Sequence, residues 1–133
     1  MKINKLDGFF YIKKENNINE IDISEVFSIV FEEESITCIY RTDSNNKKDG
    51  HAWLGFRIDE VLDFSLSGVL KKVIDPISLV GISILVVSSY DTDYIFVRNN
   101  QYELALDTLV ENGFDVYPMD FKYHHDDNAI PEK

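Results

Sequence analysis

The stretch GISILVVSSYDTDYIFVRN, residues 81–99, sets two apolar runs on either side of a polar segment, Ser88-Ser89-Tyr90-Asp91-Thr92-Asp93. The run 82–88 is apolar on both faces, the pattern of a central strand with other layers nearby. Residues 94–98 read as a second strand. A reversal between two strands needs few polar groups, and this one carries two carboxylates beside its hydroxyls. The segment is therefore either a turn, in which Asp and Thr bond their own backbone, or part of a site.

Working outward, Leu66, Val69, Leu70, Val73, Ile74, Ile77 and Val80 recur at the three-four spacing of a helix face. Ser67 suits the N-cap and Gly81 the C-terminal stop. Pro76 predicts a kink, because it lacks an N–H and crowds the carbonyl of Lys72. Upstream, Leu54, Phe56 and Ile58 line one face of a strand over 51–59. Downstream, Asn100 and Glu103 form a capping-box pair, and Tyr102, Ala105, Leu106, Leu109 and Val110 make a buried helix face. Gly113 ends that helix, and 114–117 returns as a strand. The order from residue 51 is β-α-β-β-α-β. That is an α+β, ferredoxin-like unit: an antiparallel sheet with both helices on one face.

The first fifty residues are β-rich. Strands are expected at 8–12, 26–31 and 36–40, with Phe27, Ile29 and Phe31 alternating on one half-buried face. Residues 16–25 are polar and suit a short helix or loop; Glu32-Glu33-Glu34-Ser35 is a charged turn. The pattern looks like a truncated copy of the second half, although no sequence repeat accompanies it. The polar run 43–50 reads as a linker. The division expected is 1–50 for the truncated half, 51–118 for the complete unit and 119–133 for a flexible tail.

The chain has 133 residues and a formal net charge of −11, from 24 acidic and 13 basic residues. That balance argues against binding nucleic-acid phosphates, which needs clustered Lys and Arg, and against adhesion to anionic membranes. No apolar run approaches the roughly 18 residues of a membrane span, and the N-terminus has no signal core. A soluble cytoplasmic protein is expected. The lone cysteine, Cys38, has no disulfide partner and sits in an alternating run, as a buried strand residue does. His124-His125-Asp126-Asp127 has metal-ligand residue types, but adjacent side chains of an extended chain point to opposite sides. His51 follows the linker and is expected to be exposed. Trp53 is expected at a core edge or interface. There is no Gly-rich phosphate loop, no nucleophile elbow and no metal-spaced pair on a helix. No enzyme, cofactor or metal is expected.

The strings DFSLSGVL (63–70), GISILVVSSYDTDYIFV (81–97) and ALDTLVENGF (105–114) resemble the ACT domain. More narrowly, they are similar to small bacterial ACT proteins related to the aspartate-kinase regulatory type and to the arginine sensor CASTOR. The resemblance covers about residues 53–116. It implies a regulatory domain that binds a small molecule, usually an amino acid, between paired ACT units. Carried over to this chain, one wall of the site is Leu66, Ser67, Gly68 and Val69, and the other is the segment from Ser88 with Ser89, Tyr90, Asp91, Thr92 and Asp93.

Elementary chemistry suits that assignment. A helix N-terminus presents unpaired N–H groups to a carboxylate, and Gly68 lets a ligand approach the backbone. A carboxylate across the cleft suits an ammonium or guanidinium group, with Asp93 the first candidate and Asp91 the second. The blander alternatives are a simple turn and a simple helix cap. A homodimer is expected, because the unit exposes sheet edges and one sheet face. The alternative is that the N-terminal half covers that face within one chain. The competing functional reading is an assembly module without a ligand, acting on an unidentified protein target.

Overall fold

In the computed structural model, which describes residues 1–43, 51–59 and 68–118, the quoted stretch forms a hairpin at the edge of an eight-stranded sheet. The elements in chain order are β1 (Lys2–Lys5), β2 (Phe9–Glu15), β3 (Val26–Phe31), β4 (Ile36–Thr42), β5 (Trp53–Ile58), α1 (Val69–Leu79), β6 (Leu85–Ser88), β7 (Asp93–Arg98), α2 (Tyr102–Glu111) and β8 (Asp115–Pro118). The expected β-α-β-β-α-β order holds from β5 to β8. Residues 44–50 of the linker expected over 43–50, the tail over 119–133 and the residues Leu66 and Ser67 lie outside the described residues.

β7 pairs antiparallel with β5 on one side and β6 on the other. Beyond β5 the sequence pattern had offered no strand, yet β1 inserts there. It runs antiparallel to β5 and parallel to β8. The alternation in KINK is too short to announce a strand, and Ile3 is its only fully buried side chain. The same edge of β5 is then taken over by β2, through Phe10 opposite Trp53. From there the chain turns away into the order β2-β4-β3.

Alternation sorts the central strands onto two faces. Ile3, Phe56, Ile58, Ile95 and Val97 face Val73 and Ile77 of α1 and Ala105 and Leu109 of α2. The opposite face carries Phe96, Tyr94, Leu85 and Val87, and the β2-β4-β3 layer covers it with Phe10, Phe27 and Ile39. Phe10 lies 4.8 Å from Phe96 between ring centroids, and Phe27 lies 5.6 Å from it. The layer is thus supplied within one chain, the second of the two coverings expected. Gly55 makes the close approach possible: a Cβ there would stand 2.7 Å from the Phe96 ring and 2.9 Å from Leu6.

Several local expectations change. The run 82–88 is not a central strand. Ile82 is buried under the helices, and only Leu85–Ser88 pairs, with β7 alone, so β6 is an edge. A β-bulge between Val26 and Ser28 splits the expected stripe of β3. Phe27 goes to the interlayer core, whereas Ile29 packs with Ile36 and Cys38 on the far face and Phe31 is exposed. The segment 16–25 forms two short 3-10 turns, Ile18–Glu20 and Ile23–Glu25, capped by Asn17 and Asp22 side chains. Asn100 is no helix cap. It lies inside a 3-10 turn, Asn99–Gln101, and Gln101 precedes α2 without a side-chain cap bond. Val110 is exposed, and Thr108 takes the buried place expected for it, its hydroxyl donating to the Leu104 carbonyl. Both helices end at the expected glycines, with Gly81 and Gly113 donating N–H bonds back to Ser78 and Val110.

The two layers share Phe10, so Phe10→Ala should cost about 3–5 kcal/mol. Urea unfolding should stay a single transition at a lower midpoint with an unchanged slope; two separate transitions would contradict a shared core. Tyr102 stacks on Phe56 at 5.3 Å, and burial pushes its phenol up to about 12, with help from the Glu103 and Asp7 charges. The folded value is raised above the unfolded 10, so the stabilisation is complete below pH 10 and is lost between pH 10 and 12. Tyr102→Phe should make the alkaline fall of the urea midpoint shallower over that range.

Candidate functional site

The segment Ser88 to Asp93 is a tight hairpin turn whose polar groups largely bond one another. Ser88 and Asp93 are register partners, and the Ser88 hydroxyl donates to the Asp93 carboxylate at 2.5 Å. One step further out, the Ser89 N–H and hydroxyl both donate to the Thr92 carbonyl, at 2.8 and 2.9 Å. The Thr92 hydroxyl is buried and donates to the Ile58 carbonyl at 2.7 Å. That bond ties the turn to the last residue of β5. Only Tyr90 and Asp91 stand clear at the tip; Tyr90 is 87% exposed. Asp91 has no side-chain partner among the described residues.

The other expected wall starts at Gly68. α1 begins at Val69, with Gly68 as its N-cap at φ 90. Gly68 therefore holds the cap place expected for Ser67. Among the described residues no side chain caps this end and no acidic residue lies in the first turn. Among the same residues a Cβ on Gly68 would meet nothing within 4 Å. β5 and β6 both run antiparallel to β7, so the end of β5, from which the chain passes towards α1, lies at the same end of the sheet as the β6–β7 turn. Among the described residues no hydrogen bond joins Gly68 or Val69 to the turn. Asp93 is engaged by Ser88, which leaves Asp91 as the carboxylate without an internal partner.

A second concave region lies in the first half of the chain, where the sequence had offered no site. A cleft of about 660 Å³ is lined by Tyr11 and Glu15 of β2, Tyr40 of β4, Trp53 of β5, and Glu20 and Glu25 of the 3-10 turns. Glu15 is only 4% exposed. Its Oε2 accepts the Tyr40 hydroxyl at 2.5 Å and lies 3.8 Å from the Lys13 ammonium. The Tyr40 phenol is held well above its usual range, first by that bond to Glu15, then by burial and by Cys38. The available signal was the alternation Tyr11, Lys13, Glu15, which gives β2 a polar face.

Residues 50–111 match the family model of the ACT domain. The chain carries an ACT domain. The matched segment holds β5 through α2, with the start of α1 and the β6–β7 turn inside it, whereas the cleft over β2 and β4 lies mostly outside. Among solved structures, protein Atu0741 from Agobacterium tumefaciens is similar, with a TM-score of 0.72 and 26% identity over 90% of this chain and 93% of its own. VC0802 from Vibrio cholerae, described as a protein of unknown function and a possible transport protein, shares the fold, with a TM-score of 0.68 and 17% identity over 80% of this chain and 85% of its own. Coverage of that extent reaches well beyond the matched segment into the N-terminal layer. No curated protein matches the chain. No helix among the described residues is long and apolar enough to cross a membrane. These residues also contain no group of three or more His, Cys, Asp or Glu placed to hold a metal; His124 and His125 lie outside them.

Thr92→Val keeps the shape of the turn and removes its bond to Ile58. It should cost about 1–3 kcal/mol, because the Ile58 carbonyl is left unpaired in a buried place. Urea unfolding measures this directly, and a cost near zero would show that the turn is not anchored through that hydroxyl.

Proposed function

We propose that this protein is a regulatory binding protein, not an enzyme, and that its ACT domain takes a free amino acid at the start of α1. The ACT match supports regulatory ligand binding in general. The observation that carries the finer reading is the start of α1. Among the described residues it has no side-chain cap, no acidic residue in its first turn and nothing within 4 Å of a Cβ placed on Gly68. Unpaired N–H groups and the helix dipole suit a ligand carboxylate there. Asp91, beside Tyr90 at the turn tip and without a side-chain partner among the described residues, is the first carboxylate for the ligand's ammonium, and Asp93, whose Oδ1 accepts the Ser88 hydroxyl, is the second. Binding would act by differential affinity for two arrangements of a cytoplasmic homodimer, with the ligand between ACT units and an unidentified protein as the target.

A second reading has its own observation. Ser88, Ser89, Thr92 and Asp93 all have internal partners, as a purely structural turn requires. On that reading the ACT domain serves assembly and holds no ligand.

A thermal-shift screen of the common amino acids separates the two. A ligand at about a hundred times its Kd adds roughly 2.7 kcal/mol, which moves the melting point visibly. The expected outcome is one clear hit, weakened by Asp91→Ala and lost in Gly68→Ala, with light scattering reporting a dimer throughout. A screen without a hit on a dimeric protein favours the assembly module. A monomer at micromolar concentration removes the shared-site geometry.

A further inference from the structure

The cleft over β2 and β4 belongs neither to the expected site nor to the start of α1. Its wall combines two features. One is a set of aromatic rings, Tyr11, Tyr40 and Trp53, around a space of about 660 Å³, large enough for a small organic molecule, although the Arg98 guanidinium already lies over the Trp53 ring at 5.0 Å from its centroid. The other is a buried carboxylate that is satisfied on one side only. Glu15 is 4% exposed, and both its partners, the Tyr40 hydroxyl and the Lys13 ammonium, address the same oxygen, Oε2. Among the described residues no hydrogen bond reaches Oε1. Oε1 therefore keeps acceptor capacity for a donor in the cleft.

The charges around it give the sign of that group. Glu20 and Glu25 stand exposed on the rim. Lys13 and Arg41 also line the cleft, but both are committed: Lys13 is 66% exposed beside Oε2, and the Arg41 guanidinium donates twice to the Asp7 carbonyl while lying over Phe10. Aromatic faces attract cations, and a carboxylate accepts a charge-assisted bond from an ammonium or guanidinium.

We infer that this cleft is a second ligand site, separate from the ACT-domain site, and that it takes a small organic cation, an amine or guanidinium whose donor bonds Glu15 Oε1 between the tyrosine and tryptophan rings. The cation needs no carboxylate, because no α-helix start lines the cleft among the described residues. The inference is independent of the amino-acid reading and survives its failure.

The probe is agmatine, which carries an ammonium and a guanidinium and no carboxylate, with uncharged n-butylurea as its control. In two-dimensional amide NMR of the full chain, agmatine should give saturable shifts at Tyr11, Glu15 and Tyr40, and n-butylurea should give none. Glu15→Gln should weaken agmatine about tenfold, the loss of one charge-assisted bond. Glu25→Gln, an exposed change that leaves the core alone, should weaken it about two- to threefold at low salt, as a rim charge does. Gly68→Ala should leave it unchanged, which separates this site from the one at α1. Absence of saturable shifts, equal response to n-butylurea, or an affinity indifferent to both acidic variants would overturn the inference.

Discussion

An antiparallel sheet with helices on one face leaves the other face apolar and uncovered, and that face must be buried against something. Here the constraint centres on Phe96 in β7. Its ring lies 4.8 Å from Phe10 and 5.6 Å from Phe27, so two strands of the first half close over it. Tyr94 extends the contact, 5.2 Å from Phe27 in an edge-to-face arrangement. Aromatic pairs of this kind add about 0.5–1.5 kcal/mol each beyond the area they bury. The β-bulge in β3, the close approach at Gly55 and the turn of β1 into β2 all serve this one contact. The first half is therefore the second layer of the ACT domain's sheet.

The second half was legible because its patterns are long and local. The helix faces built on Val73, Ile77, Ala105 and Leu109 stand at regular spacing, and both stop signals are glycines in the expected places. The strands Phe56–Ile58 and Ile95–Val97 alternate cleanly. What escaped was decided by distant partners. Four residues of β1 have no periodicity of their own, and their place between β5 and β8 depends on groups supplied at the other end of the chain. The β3 stripe failed because one extra residue in a bulge sends Phe27 and Ile29 to opposite faces. The apolar run at 82–88 looked central because Ile82 and Ile84 are apolar for the sake of the helix layer, and only the four residues after them make a strand.

The candidate site shows the same division. The turn at Ser88 to Asp93 was visible as a polar interruption, but which carboxylate stays available could not be read from spacing alone. Asp93 and Ser88 face each other across the last pair of the hairpin, and Asp91 lies beyond it. The cleft around Glu15 was invisible for another reason. Its wall is assembled from β2, β4, β5 and two 3-10 turns, and a lone glutamate at the end of a strand has no sequence signature of burial. Only the covering turns, held by Asn17 and Asp22, take that side chain out of water.

The insertion of β1 also bears on how the chain reaches this structure. Residue 2 pairs with residue 115, so the sheet cannot close until both strands have been made. Loop closure over such a span costs entropy before any contact repays it, and folding slows as the mean sequence separation of contacts grows. During synthesis the β5-to-α2 segment emerges with β1 already made but β8 still missing. The edge of β1 that faces β8 then waits unpaired until β8 arrives.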